Sequence, residues 1–230
     1  MTRAAKPSPF ETLSLLKAGN DRFVKGQMKH PHQDLARVQL SGSANQADHA
    51  YATILSCSDS RVPVELIFDA GVMDLFIVRV AGNVCNVDEI GSIEYGLAHV
   101  HTPMFVMLGH TQCGAVTAVA HALQGKGHAL ERNIPPLVQS IEAAVHQAQA
   151  EHPNVHGNDI IPYAIEVNMW RGIEKLFMES PATRDLVKRG AAKVVAALYD
   201  VSTGKITWLP ETKCTELLMK VESNPDRAMD

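Results

Sequence analysis

Five residues in two short stretches carry the chemistry available to this chain. Ile54-Leu55-Ser56-Cys57-Ser58-Asp59-Ser60-Arg61 is an apolar run ending in a cysteine, with an aspartate and an arginine following at two-residue intervals. Met104-Phe105-Val106-Met107-Leu108 runs in the same way into Gly109-His110-Thr111-Gln112-Cys113-Gly114. Each reads as a buried strand that ends in soft metal ligands. Two parallel strands side by side would gather Cys57, His110 and Cys113 about one point, as three ligands of a tetrahedral zinc site with the fourth position open or contested. Two thiolates cancel the charge of Zn²⁺, so a bound water is acidified less than by three neutral histidines, and nearby charges must help to tune it. Gly114 opens a helix directly after Cys113, and the free N–H groups there favour a thiolate or a bound anion. Asp59 and Arg61 point the same way in extended chain, so a charge-assisted pair is geometrically easy. On residue chemistry alone Asp59 is a fourth zinc ligand, an acceptor from zinc-bound water, or only the partner of Arg61.

The elements that must hold these residues follow from the pattern. Ser8-Pro9-Phe10-Glu11 opens a helix with a capping box, and Gly19-Asn20 is expected to stop it in a left-handed conformation. That helix packs on its own domain or on a neighbouring subunit. Residues 26–50 read as a polar linker with one short helix near Leu35-Ala36-Arg37-Val38. The first strand is Ala52 to Ser56, followed by a helical turn at 63–68. A second strand, Asp74 to Val80, turns out through Ala81-Gly82-Asn83. Asp88 to His99 is an amphipathic helix on the spacing of Ile90, Ile93 and Leu97. The third strand is Met104 to Leu108. Helices follow from Gly114, over 134–150 and over 159–179. Ala191 to Tyr199 carries a fourth strand, Asp200 to Gly204 its turn, and Lys205 to Leu209 a short edge strand. The tail after Pro210 is open, with one more packing helix as the reading. Strands alternating with helices predict an α/β fold with a mainly parallel sheet of four to five strands flanked by helices. An N-terminal helical arm takes up about residues 1–50 of a single domain spanning 1–230. Ligands of such sheets bind at the carboxyl ends of the strands, where both cysteine motifs lie.

Composition narrows the class. The chain has 230 residues, 46% hydrophobic and 20% charged, with only 5% aromatic residues. That suffices for one sizeable core and suits helices packed on a buried sheet. A formal net charge of -4 without runs of like charge speaks against a nucleic-acid partner. The stretch Met1 to Pro7 lacks the apolar core of a signal peptide, and no apolar run approaches the ~20 residues that span a bilayer. The expectation is a soluble, cytoplasmic protein without a membrane partner. Of the four cysteines, Cys57 and Cys113 sit in metal-like contexts and are read as ligands rather than a disulfide. Cys85 and Cys214 lack a His or Cys at ligand spacing and read as packing residues. His99 and His101 look like a ligand pair, but at a helix end they are read as solvated or capping. His30, His32, His121, His128, His152 and His156 lie in polar stretches and could at most shuttle protons.

Cys57-Ser58-Asp59-Ser60-Arg61 followed by Gly109-His110-Thr111-Gln112-Cys113-Gly114 resembles the β-class carbonic anhydrase family. The resemblance extends over roughly residues 10–210. Leu16 to Phe23 is similar to the family's N-terminal arm. Asp74 to Arg79, Ala81-Gly82-Asn83 and Ile93-Glu94-Tyr95 are similar to its middle section, and Leu198-Tyr199-Asp200 to its end. It implies reversible hydration of CO₂ to bicarbonate and a proton by attack of zinc-bound hydroxide. Cys57, His110 and Cys113 would hold Zn²⁺. Asp59 would accept a hydrogen bond from the hydroxide and assist proton transfer, with Arg61 fixing it. In some members the equivalent of Asp59 moves onto the metal as a fourth ligand and silences the enzyme, which pairing with Arg61 opposes. Gly114, Tyr95 and Gln46 would line the substrate pocket, Gln46 only if an insertion compensates a two-residue offset from its usual place. The family builds its pocket at a dimer interface, so a homodimer or homotetramer is implied.

The departures from the family pattern are specific. Val80 stands where asparagine is common, and the segment from Asn83 to Ile93 is shorter than in plant members. Members with a second, inhibitory bicarbonate site carry tryptophan and glycine at the positions of Ile54 and Ser56. Their absence argues against that regulatory site and for an open, water-bound zinc near neutral pH. Two other readings share the same ligands. One is hydrolysis of a CO₂ analogue, carbonyl sulfide or carbon disulfide; the other is a non-catalytic structural zinc, against which Arg61 argues. A thiol redox role lacks the Cys-x-x-Cys it would need.

Overall fold

The structure, a computed structural model, describes residues 6–126 and 130–229. The first five residues of the stretch read for a signal peptide, and His128, lie outside the described residues. The elements in chain order are α1 (Pro9–Val24), α2 (Leu35–Ser41), β1 (Ala52–Cys57), α3 (Val64–Ile67), β2 (Leu75–Val80) and α4 (Val87–Glu94). Then come β3 (Met104–His110), α5 (Gly114–Leu123), α6 (Ile134–Glu151), α7 (Ile161–Glu179), α8 (Pro181–Lys188), β4 (Lys193–Tyr199), β5 (Ile206–Trp208) and α9 (Glu211–Glu222). The five strands form one sheet in the order β2-β1-β3-β4-β5, parallel except for the antiparallel β4–β5 pair.

The central strands are buried on both faces, which explains their unbroken apolar runs. On one face Ile54, Met104, Val106 and Leu108 pack under Leu13 and Leu16 of α1 and Ile67 of α3. On the other, Leu55, Phe105 and Met107 pack under α4 to α9. In register, Leu55 of β1 lies beside Met107 of β3. The two strands therefore end side by side, with Cys57 closing one and His110 the other.

Several expectations need correction. Gly19-Asn20 does not stop α1, which continues to Val24. Both residues face inward: a Cβ at Gly19 would lie 1.9 Å from the Phe68 carbonyl oxygen, so the glycine serves close approach of helix and sheet. The arm's first helix packs on its own sheet. The polar segment after it is fastened. Buried Asp69 accepts from the Lys29 and His30 amides and from Arg22 Nε, and buried Asp74 from His32 Nδ1, Arg37 and the Gly71 amide. The helix expected over Asp88–His99 is α4 followed by a π turn at Tyr95–His99. There the Thr102 amide and hydroxyl both take the Gly96 carbonyl, and Val100 N–H reaches back to the Tyr95 carbonyl. Helix α8 was missed, although Ser180 caps it through the Thr183 amide and Pro181 starts it. The tail does form a packing helix, α9.

Beyond α9 the chain is clipped by one side chain. Arg184, 4% exposed, donates to the Phe177 carbonyl at 2.5 Å, the Ala228 carbonyl at 2.6 Å and Glu222 at 3.1 Å. Removing it orphans two carbonyls and leaves Glu222 with Lys188 alone, at 3.2 Å. Arg184→Ala is expected to cost about 3 kcal/mol of stability, read as a fall in the urea midpoint at constant m.

Candidate metal centre

Cys57 Sγ, a nitrogen of His110 and Cys113 Sγ lie within 4.8 Å of one another, and all three residues are buried. The strands supply the first two, and Cys113 is the N-cap residue of α5. The ring of His110 is fixed by its own loop: Nδ1 donates to the Thr111 carbonyl at 2.8 Å. That bond puts the proton on Nδ1 and leaves Nε2 a bare lone pair. Nε2 is buried without a hydrogen-bond partner among the described residues. An unpaired acceptor in the core facing two sulfurs is unfavourable unless something binds it. Two thiols and an imidazole suit a borderline-soft divalent metal such as zinc. The residues therefore fit a metal ion.

Electrostatics around the sulfurs agree. Cys57 is held well below the ordinary thiol range, first by the adjacent Cys113 thiol, against the opposing effect of burial, and then by the Asp59 and Gly82 amides. Cys113 is pushed up by Cys57 and by burial. Cys85 and Cys214 differ: burial pushes both thiols up to about 12. They are packing residues, as expected, and all four cysteines are free.

Asp59 and Arg61 form the expected pair. Arg61 Nη2 donates to Asp59 Oδ2 at 2.7 Å, and Arg61 Nε and its backbone N–H donate to Oδ1 at 3.0 and 2.9 Å. This pairing holds the carboxyl at about 2, against partial burial. Asp59 Oδ2 is 4.0 Å from His110 Nε2, beside the centre but turned to its arginine. Arg61 Nη2 also donates to the Gln112 carbonyl at 3.0 Å, which ties the pair to the ligand loop. Gly114, the first residue of α5, is exposed, and the space a Cβ would take there is open. Tyr95 is half-exposed, its ring against Phe76 and His99. Gln46 is exposed in a 3₁₀ turn at Gln46–Asp48. Among the described residues no hydrogen bond, ion pair or ring contact joins Tyr95 or Gln46 to the cluster.

Four supports were not foreseen. Arg79 donates to the Cys57 carbonyl at 3.2 Å and the Asp59 carbonyl at 2.8 Å, and its signal was a lone charge at the end of an apolar strand. The Gly82 amide donates to Cys57 Sγ at 3.3 Å. Thr111, between the ligands, donates its amide to the Tyr199 carbonyl, and its hydroxyl accepts the Val201 amide at 3.1 Å. Asn168 reaches the Gly82 carbonyl from α7.

A mainly parallel α/β sheet carries a Cys-His-Cys cluster that could hold a metal at the carboxyl ends of neighbouring strands, with an Asp–Arg pair beside it. A family model described as carbonic anhydrase matches residues 52–206, and the chain belongs to the carbonic anhydrase family, in its β class. A carbonic anhydrase of Mycolicibacterium smegmatis is 32% identical over 209 residues, covering 86% of this chain and 92% of that protein. Carbonic anhydrase 2 of Mycobacterium tuberculosis is 42% identical over 117 residues, 50% of this chain and 55% of the relative. Among solved structures, a β-carbonic anhydrase of Aspergillus fumigatus aligns with a TM-score of 0.66 at 23% identity, covering 93% of this chain and 100% of that one. A tetrameric β-carbonic anhydrase of Sordaria macrospora aligns at 0.65 and 20%, covering 86% and 97%. Among the described residues no helix is long and apolar enough to cross a membrane.

Proposed function

We propose that this carbonic anhydrase hydrates CO₂ reversibly to bicarbonate and a proton at a zinc ion held by Cys57, His110 and Cys113. The observation that carries the reading is His110 Nε2, buried, unpartnered and grouped with two sulfurs, while Asp59 is drawn off to Arg61. Zn²⁺ held there would act as a Lewis acid that makes a coordinated water acidic enough to serve as nucleophile near neutral pH. Asp59 Oδ2 would accept an O–H from the attacking oxygen and so orient it, and Arg61 would keep that carboxylate charged and turned to itself. The Gly114 amide at the start of α5 donates to a substrate oxygen. Tyr95 and Gln46 complete the pocket rim across a subunit interface, which calls for a homodimer or homotetramer. The whole of 1–230 acts as one domain, and four free cysteines suit the cytoplasm. A purely structural zinc would require Asp59 to close the site, and its bonds to Arg61 speak against that.

Stopped-flow CO₂ hydration across pH, on zinc-loaded protein, tests this. Asp59→Ala is expected to lower the rate by ~10²–10⁴ while zinc content is kept. No hydration at any pH with zinc bound would overturn the proposal.

A further inference from the structure

Gly82 stands just past β2 with φ of 72°, a conformation that glycine enters without strain. A Cβ there would lie 2.7 Å from Ile141 Cδ1 and 3.1 Å from Ala115 Cβ, so the backbone itself has come close to α5 and α6. Its N–H donates to Cys57 Sγ at 3.3 Å. With no side chain, nothing of its own keeps that N–H aimed at the sulfur. Its carbonyl is held instead: Asn168 Nδ2 donates to it at 2.9 Å. Asn168 is 5% exposed on α7, among Ile165, Met169 and Ile173 of the core. A buried amide on an apolar helix face costs stability unless it is used. The next residue, Met169, packs over Gly109, at the root of His110. Helix α7 thus meets the surroundings of the centre twice, just past β2 and at the end of β3.

We propose that Asn168 is a positioning residue of the metal centre. By fixing the Gly82 carbonyl it keeps the Gly82 N–H on Cys57 Sγ, and so draws electron density from that sulfur. The inference rests on the reading of Cys57, His110 and Cys113 as metal ligands. In a first shell of two thiolates and one imidazole, such a hydrogen bond weakens sulfur donation and leaves the metal more acidic, an outer-shell effect exerted from a residue that never touches the ion.

The test uses the full chain loaded with Co²⁺, whose thiolate-to-metal charge-transfer absorption reports the sulfur directly. Asn168→Leu has similar volume and no donor. It is expected to move that absorption to lower energy and to change metal affinity by ~10-fold or more in chelator competition. Asn168→Gln keeps a donor and should recover part of the shift. A spectrum unchanged in Asn168→Leu, whatever happens to its thermal stability, would overturn the proposal. Where a variant fails to fold, the wild-type chain still decides. Loaded with an NMR-active cadmium isotope, its Gly82 amide proton should couple to the metal through the sulfur, and the Asn168 side-chain amide should be protected from exchange. Absence of either sinks the idea. If the wild-type chain bound neither cobalt nor cadmium, the metal-site reading itself would have failed, which is a separate result.

Discussion

Cys113→Ala is expected to lose zinc and to lower CO₂ hydration by on the order of 10³ or more. The substitution leaves only two protein ligands, Cys57 and His110, and a Lewis acid worth several kcal/mol of transition-state stabilisation is lost with the ion. The fold should survive. Cys113 makes no side-chain capping hydrogen bond to α5, so the helix does not lose its start. Its side chain is small, so the void left behind is minor. Helical content by circular dichroism should therefore match the wild type while metal analysis after dialysis finds none. Cys85→Ala and Cys214→Ala are the controls. Both thiols are buried and pushed up to about 12, and among the described residues neither is grouped with other ligands. Each is expected to keep full zinc content and rate. Retention of zinc in Cys113→Ala, or its loss in either control, would show that the ligands have been misassigned.

The ligands were legible because the physics that exposes them is local. A strand buried on both faces must be apolar throughout, so β1 and β3 stand out as runs, and the residues at which each run gives way to Cys57 or His110 stand out with them. Asp59 and Arg61 were legible as a pair for the same reason, being two residues apart. Their supports were not. Gly82 and Asn168 are 86 residues apart, and only the packing of α7 behind the sheet brings them together. Asn168 in Val167-Asn168-Met169 gives no sign of what it meets. Helix α8 is amphipathic, but it has only eight residues and starts straight after α7, with Ser180 closing one helix and capping the next. The π turn after α4 depends on Thr102, which lies outside the helix it interrupts. Tyr95 and Gln46 were named on resemblance alone, and one copy of the chain does not join them to the cluster.

Asn20 shows the same limit from the side of stability, and Asn20→Ala is expected to cost about 3–5 kcal/mol. Gly-Asn after an apolar stretch is a fair helix stop on local grounds. Here tertiary contact overrides it, because α1 must pass close to Phe68 and only glycine leaves room. Asn20 then faces inward and serves three backbone groups at once. Its amide donates to the Ile67 carbonyl at 3.2 Å and the Gly204 carbonyl at 2.9 Å, and its Oδ1 accepts the Ile206 amide at 2.9 Å. Each of those groups, if buried and left unpaired, costs about 1–3 kcal/mol. Asn20→Leu separates hydrogen bonding from filling, since it restores volume but no partner. It should be as damaging as alanine in urea denaturation. Wild-type stability in Asn20→Leu would mean that the site needs only bulk. The effect should also reach the metal centre. The turn that Asn20 holds at Gly204 begins at Asp200, and the next residue, Val201, donates its amide to the hydroxyl of Thr111 between His110 and Cys113. A loosened turn frees Thr111, whose carbonyl fixes the His110 tautomer. Weaker zinc retention at temperatures where the variant is still folded is therefore expected alongside the lost stability.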